Sequence, residues 1–284
     1  CILGFLILLS LGRSACSLTV KDIEADVVPK GERGNLVGLA STISGVMTLV
    51  VAVPLLIFDD TFKDNALLGV LVCAAVSFTI TLLCMFNLKT KVEDNGDDKG
   101  NMFSIRFDKT VYQFVFVRGL FVHSALVAPY FMLENGENAQ KLLPIYIAAQ
   151  ALASMCSSLL WGKVADYSAK LTLQIAGVLT IAACVGLLII NSDTLIISAV
   201  LFFVLSIAHS GVRTGRKTYS LDVKEGQERT ELVGFSNTAI GIILLTFGAV
   251  YAAIGPSLSF SVVYIMTAMM VVATISTVIL PNEK

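Results

Sequence analysis

Apolar residues along this chain come in blocks of about twenty, separated by short charged or Gly/Asn-bearing connections. Nine blocks can be drawn: 1–17 (partial), 36–58, 66–88, 113–135, 142–162, 171–191, 194–212, 232–254 and 258–280. A helix of about 20 apolar residues spans the hydrocarbon core, and only a helix or a closed barrel satisfies its backbone there. These blocks are too long and too evenly apolar for barrel strands, which alternate over about ten residues. The pattern predicts an all-α, polytopic membrane protein with nine visible spans.

One junction between a polar connection and a span occurs twice. Glu32–Gly45 reads ERGNLVGLASTISG, and Glu228–Gly241 reads ERTELVGFSNTAIG, with seven of fourteen positions identical at an offset of 196. At that offset span 36–58 matches 232–254, span 66–88 matches 258–280, and the partial span 1–17 matches 194–212. Spans 113–135, 142–162 and 171–191 have no counterpart. The expectation is a duplicated protein of twelve helices, truncated at the N-terminus by about 80 residues that carry three of them. Residues 1–88 would then end a first six-helix half, 89–112 would be a cytoplasmic linker, and 113–284 would form the second half.

Charge fixes the expected orientation. Of the 20 Lys and Arg residues, 17 fall in one alternate set of connections and two in the other, with Arg118 alone inside a span. By the positive-inside rule the rich set is cytoplasmic, and so is the C-terminus. The chain is 56% hydrophobic and 14% charged. Soluble domains run at roughly 45–50% and about 25%. A net charge of −1 gives no case for nucleic acid as a partner. The six cysteines form no CxxC pair and read as small buried hydrophobes. Gly241, Gly248 and Gly255 recur at seven-residue spacing, which suggests a close helix contact.

Two connections carry motifs. Gly162-Lys-Val-Ala-Asp166-Tyr-Ser-Ala-Lys170 resembles the major facilitator loop G-x-x-x-D-R/K-x-G-R/K, with Gly162, Asp166 and Lys170 matching and Tyr167 and Ala169 departing. The connections 13–33 and 213–229 both place Arg after a span, then Asp, then Glu-Arg before the next. The second, through Arg216, Lys217, Tyr219, Asp222, Arg229, Ser236, Asn237, Thr238 and Gly241, looks like a bacterial branch of the major facilitator superfamily. The resemblance implies a twelve-helix secondary transporter in the plasma (inner) membrane, working by alternating access. It implies gating roles for Gly162, Asp166, Lys170, Arg229 and Arg33. It also implies that spans 113–135 and 194–212 line a central cavity.

Polar residues inside spans supply the candidate site. His123 lies near mid-span, where such transporters bind substrate, and a neutral imidazole there can bind a solute or take up a proton. A satisfied packing histidine is the competing reading. Tyr130 follows on nearly the same face beside Pro129, whose missing N–H permits a local break. Arg118 sits close enough to the cytoplasmic end to snorkel. Gln150 and Asn237 are polar enough to hydrogen-bond between helices or to a solute. His209 reads as an interface residue. No catalytic constellation, nucleotide-binding loop or metal set is present in the sequence, so the expectation is no enzyme and no cofactor. The expected partners are the bilayer and a small-molecule solute, with H+ as a candidate coupling ion. The alternative is a membrane receptor or sensor on the same fold that moves nothing.

Overall fold

A computed structural model describes residues 31–57, 60–86, 108–133, 139–190, 195–258 and 260–282, with a few positions between 12 and 29. Every described element is helical. The helices are α1 (Arg33–Ile57), α2 (Asp60–Phe86), α3 (Lys109–Leu120), α4 (His123–Leu133), α5 (Ala139–Tyr167), α6 (Ala169–Ile189), α7 (Leu195–Asp222), α8 (Gly226–Ile254) and α9 (Val262–Ser276). Among the described residues, six stretches are long and apolar enough to cross a membrane: Lys109–Phe131, Ile145–Tyr167, Ala169–Ile189, Ile196–Asp222, Glu228–Ser257 and Val262–Ile279. By length and composition the chain is an integral membrane protein. The expected span 1–17 and the linker 89–112 lie almost wholly outside the described residues.

Helices α5, α7 and α8 outrun the apolar blocks that announced them into charged sequence. Helix α5 continues past residue 162 to Tyr167, where Ser168 breaks it and caps α6 by accepting from the Leu171 amide. Helix α7 continues from 212 to Asp222, and α8 starts at Gly226, ahead of 232. The positively charged stretches 163–170 and 213–229, read as connections, are therefore largely helical. Hydropathy stops where charge begins, but Lys, Arg and Glu are good helix formers and do not stop a helix.

Span 113–135 is broken, though not at Pro129. Helix α3 ends at Leu120, Phe121 and Val122 form a turn, and α4 begins at His123 with Pro129 inside it. At the turn the Ser124 amide bonds to the Phe121 carbonyl, so the Leu120 carbonyl loses its usual partner four residues on.

The core has two apolar clusters. One surrounds Phe114, Trp161, Leu173, Tyr219 and Met270, and the other surrounds Val127, Phe131, Tyr146, Leu205 and Met266. The most extensive packing is between α1 and α5, which lie along one another, and α7 packs against both α5 and α6. The α1–α5 pair is antiparallel and very close. A side chain at Gly34 would meet the Gly162 carbonyl at 2.5 Å, Gly38 lies on the Ser158 carbonyl, and Gly45 would meet the Ala151 carbonyl at 2.8 Å. Small residues on one face of each helix permit this approach.

Several expectations need correction. Gly241 and Gly248 have nothing within 4 Å of where a side chain would start, and Gly255 has only ordinary contact, so their spacing marks no close helix contact among the described residues. Cys16, Cys73, Cys84 and Cys156 are exposed, and only Cys184 of the described cysteines is buried. Exposed apolar side chains such as Leu71 and Phe78 run along α2. On a membrane protein such a surface suits hydrocarbon or further helices, where burial in a protein core is not required.

Candidate functional site

The candidate residues separate into a polar end and an interior cavity. At the polar end, the Asp166 carboxylate accepts from the Gly34 amide at 2.6 Å and the Asn35 amide at 2.8 Å. Those amides belong to the first turn of α1 and have no acceptor within their own helix. Asp166 thus supplies a helix cap from α5, with its charge at the positive end of the helix dipole. Gly162, one turn earlier, lies against the Gly34 backbone and lets the carboxylate reach.

Arg33 carries the same junction to α7. Its guanidinium donates to Asp222 Oδ1 at 2.8 Å, to the Leu221 carbonyl at 2.9 Å and to the Val28 carbonyl at 3.0 Å. The cation therefore sits at the carboxyl end of α7, the negative end of its dipole. Arg229 occupies the equivalent place in the second sequence copy, and both arginines are 6% exposed. Thr42 and Thr238, also equivalent, each donate to the carbonyl four residues back. Lys170 lies elsewhere: its ammonium bonds the Leu280 carbonyl at 2.8 Å and ties α6 to the chain just beyond α9. Of the gating candidates, the structure brings Gly162, Asp166 and Arg33 together. Outside the spans, Lys224 bridges Glu228 and Asp108. That bonding raises the Lys224 pKa and lowers that of Asp108.

The interior cavity has two lobes. One, of about 200 Å³, is lined by Ser124 of α4, by Gln150 and Ser154 of α5, and by Ser206, His209 and Arg213 of α7. The other, of about 160 Å³, adds Ser41, Ser44 and Thr48 of α1 and shares Gln150, Ser154 and Arg213. Among the described residues, no carboxylate lines either lobe.

His123 is not in this lining. It is fully buried, with Nδ1 2.8 Å from the Leu120 carbonyl freed by the turn and Nε2 2.7 Å from the Tyr251 hydroxyl. A carbonyl only accepts, so Nδ1 carries the proton and Nε2 accepts from Tyr251. Phe247 meets the ring edge-on. This is a satisfied packing histidine at a helix break. Tyr251→Phe is expected to leave Nε2 unpaired and cost about 1–3 kcal/mol. Thermal unfolding in detergent would show it as a lower midpoint, with solute binding unchanged.

His209 takes the place expected of His123. Its Nδ1 lies 3.2 Å from Ser124 Oγ. The Ser124 hydroxyl gives its one proton to the Phe121 carbonyl at 2.9 Å, so Nδ1 of His209 is the donor. Nε2 then keeps its lone pair, with no partner among the described residues, and His209 lines the first lobe.

The other candidates divide similarly. Gln150 lines both lobes. Tyr130 is half-buried against the cluster around Val127 and lines neither. Arg118 does not snorkel. It turns to α8 and donates to Ser236 Oγ at 2.6 Å and Asn237 Oδ1 at 2.7 Å, with Phe114 beneath its guanidinium. Asn237 is thereby an interhelical partner. The residues missed were Ser206, His209, Ser210 and Arg213. Their spacing of three to four is the face of one helix, a signal that was present in the sequence. No protein-family model and no curated protein sequence matches this chain.

Proposed function

We propose that this chain is a secondary transporter of the major facilitator type, moving a small solute by alternating access across the plasma (inner) membrane, with its C-terminus in the cytoplasm. The observation that carries the reading is a polar cavity within an apolar bundle, between α1 of the first sequence copy and α5 and α7 of the second half. Such a site suits a solute-binding chamber at a repeat interface. The Gly34–Gly162 contact and the Asp166 cap close one end of that interface and would serve as its gate. They are made of few bonds, all reversible, so a rocking of α1 against α5 would open it.

Full-length protein reconstituted in liposomes would test this. Saturable solute uptake driven by an ion gradient is expected. Asp166→Asn removes the charge at the α1 terminus and is expected to change the rate at least severalfold, while solute affinity shifts little. A protein that binds its solute yet shows no flux under any gradient would instead be a receptor or sensor on this fold.

A further inference from the structure

We infer that the cavity between α4, α5 and α7 takes an anion, a small solute carrying a carboxylate or phosphate group, held through Arg213. The solute's role rests on the transporter reading, but its charge follows from the cavity.

Five acids near the polar end are already engaged. Asp222 pairs with Arg33, Glu24 with Lys217, and Asp108 and Glu228 with Lys224. Asp166 is held by two amides of α1. Arg213 lies nine residues before Asp222 on α7, about 13 Å along the axis, out of reach of that carboxylate. No ion pair to Arg118, Arg213 or Arg216 forms among the described residues.

The three cations nevertheless lie together. Arg216 is within electrostatic reach of Arg118, Arg213 and His209. Positions 209, 213 and 216 share one face of α7, as helical spacings of four and seven require. A cluster of like charges inside a bundle is costly without a counter-charge, and charged residues in such places mark ligand or ion pathways. Arg118 donates to neutral Ser236 and Asn237, which leave its charge uncancelled. Arg213 faces both lobes, and no hydrogen bond or ion pair holds its guanidinium among the described residues.

The remaining wall is rich in donors. The Gln150 amide and the Ser154 hydroxyl line both lobes, neither with a partner among the described residues, and Ser44 adds a hydroxyl from α1. A guanidinium fork with amide and hydroxyl donors around it fits the oxygens of a carboxylate or a phosphate. A cation would meet repulsion from three arginines, and a neutral solute would leave them uncompensated.

The test is calorimetric titration of the full-length protein in nanodiscs of neutral lipid, with succinate, inorganic phosphate and the neutral tetrol erythritol. Binding of succinate or phosphate, but not erythritol, is expected. Arg213→Gln should weaken that binding about ten- to a hundredfold, the value of charge-assisted hydrogen bonds, and Arg213→Lys should restore part of it. Should Arg213→Gln fail to fold, Ser154→Ala is expected to weaken the same anion severalfold. Failure of both anions to bind, or unchanged affinity in the folded variants, would overturn the inference. A parallel titration in discs containing phosphatidylglycerol separates the sources of the anion. Retained binding supports a free solute, whereas abolished binding hands the site to a lipid headgroup and overturns the solute assignment. Flux of a neutral solute without anion binding would sink the charge assignment and spare the transporter reading. Anion binding without flux would do the reverse.

Discussion

Gly162→Val is expected to separate α1 from α5 and to cost about 3–5 kcal/mol, combining overpacking with loss of the Asp166 cap. The added Cβ would lie 2.5 Å from the Gly34 carbonyl oxygen and 3.0 Å from its carbon. Both are backbone atoms, so no rotamer change relieves the clash and the helices must move apart. Gly34 and Asn35 would then lose the carboxylate that caps them at 2.6 and 2.8 Å. Gly248→Val is the control, because nothing lies within 4 Å of a Cβ there. Thermal unfolding in detergent should show a large drop for Gly162→Val and little change for Gly248→Val. Equal drops would mean that helix propensity, and not the α1–α5 contact, decides the effect.

Arg33→Met is expected to cost a similar amount, about 3–5 kcal/mol, the usual range when one partner of a buried ion pair is removed. The Arg33 side chain is 7% exposed and that of Asp222 is 14% exposed, so solvent screens the pair little. The substitution would leave Asp222 without its cation and the Leu221 carbonyl without its 2.9 Å donor. The double variant Arg33→Met/Asp222→Leu should recover much of the loss, since removing both charges spares the desolvation cost. Additive losses in that double variant would count against a direct Arg33–Asp222 interaction. The measurement is again the unfolding midpoint, compared across the four proteins of the cycle.

Helix existence was largely legible in the sequence. Six of the nine apolar blocks reappear as the six stretches able to cross a membrane, because a long run of apolar side chains has one stable home in hydrocarbon. The repeated Glu-Arg junction was legible as well, and its two arginines are equally buried. Gly162 and Asp166 were singled out by their likeness to the major facilitator loop, in which a small residue and an acid one turn apart suit close approach to a helix amino end. What the spacing could not name was the partner, Gly34 and Asn35, which lie 128 and 131 residues away from them in sequence.

The cavity was less legible. His123 and His209 both sit in apolar helices, and hydropathy reports only depth along the membrane normal. Which way each ring points depends on helix rotation, set by neighbouring helices. The turn at Phe121–Val122 frees the Leu120 carbonyl, His123 takes it, and Tyr251 completes its bonding, so His123 is used up in packing. His209, read as an interface residue, faces Ser124 and the cavity instead. Arg213 was read as part of a charged connection, yet α7 carries it into the wall of both lobes.

The sequence by itself determined the material and its order: apolar helices, a membrane setting, an internal repeat, and a polar end rich in Arg and Asp. These follow from transfer energy and local spacing, which each segment carries alone. Only the tertiary structure decided which histidine is buried, which arginines have acids to bind, and where a cavity remains. Those are properties of pairs and triples of helices, fixed by the close α1–α5 approach and the rotation of α7.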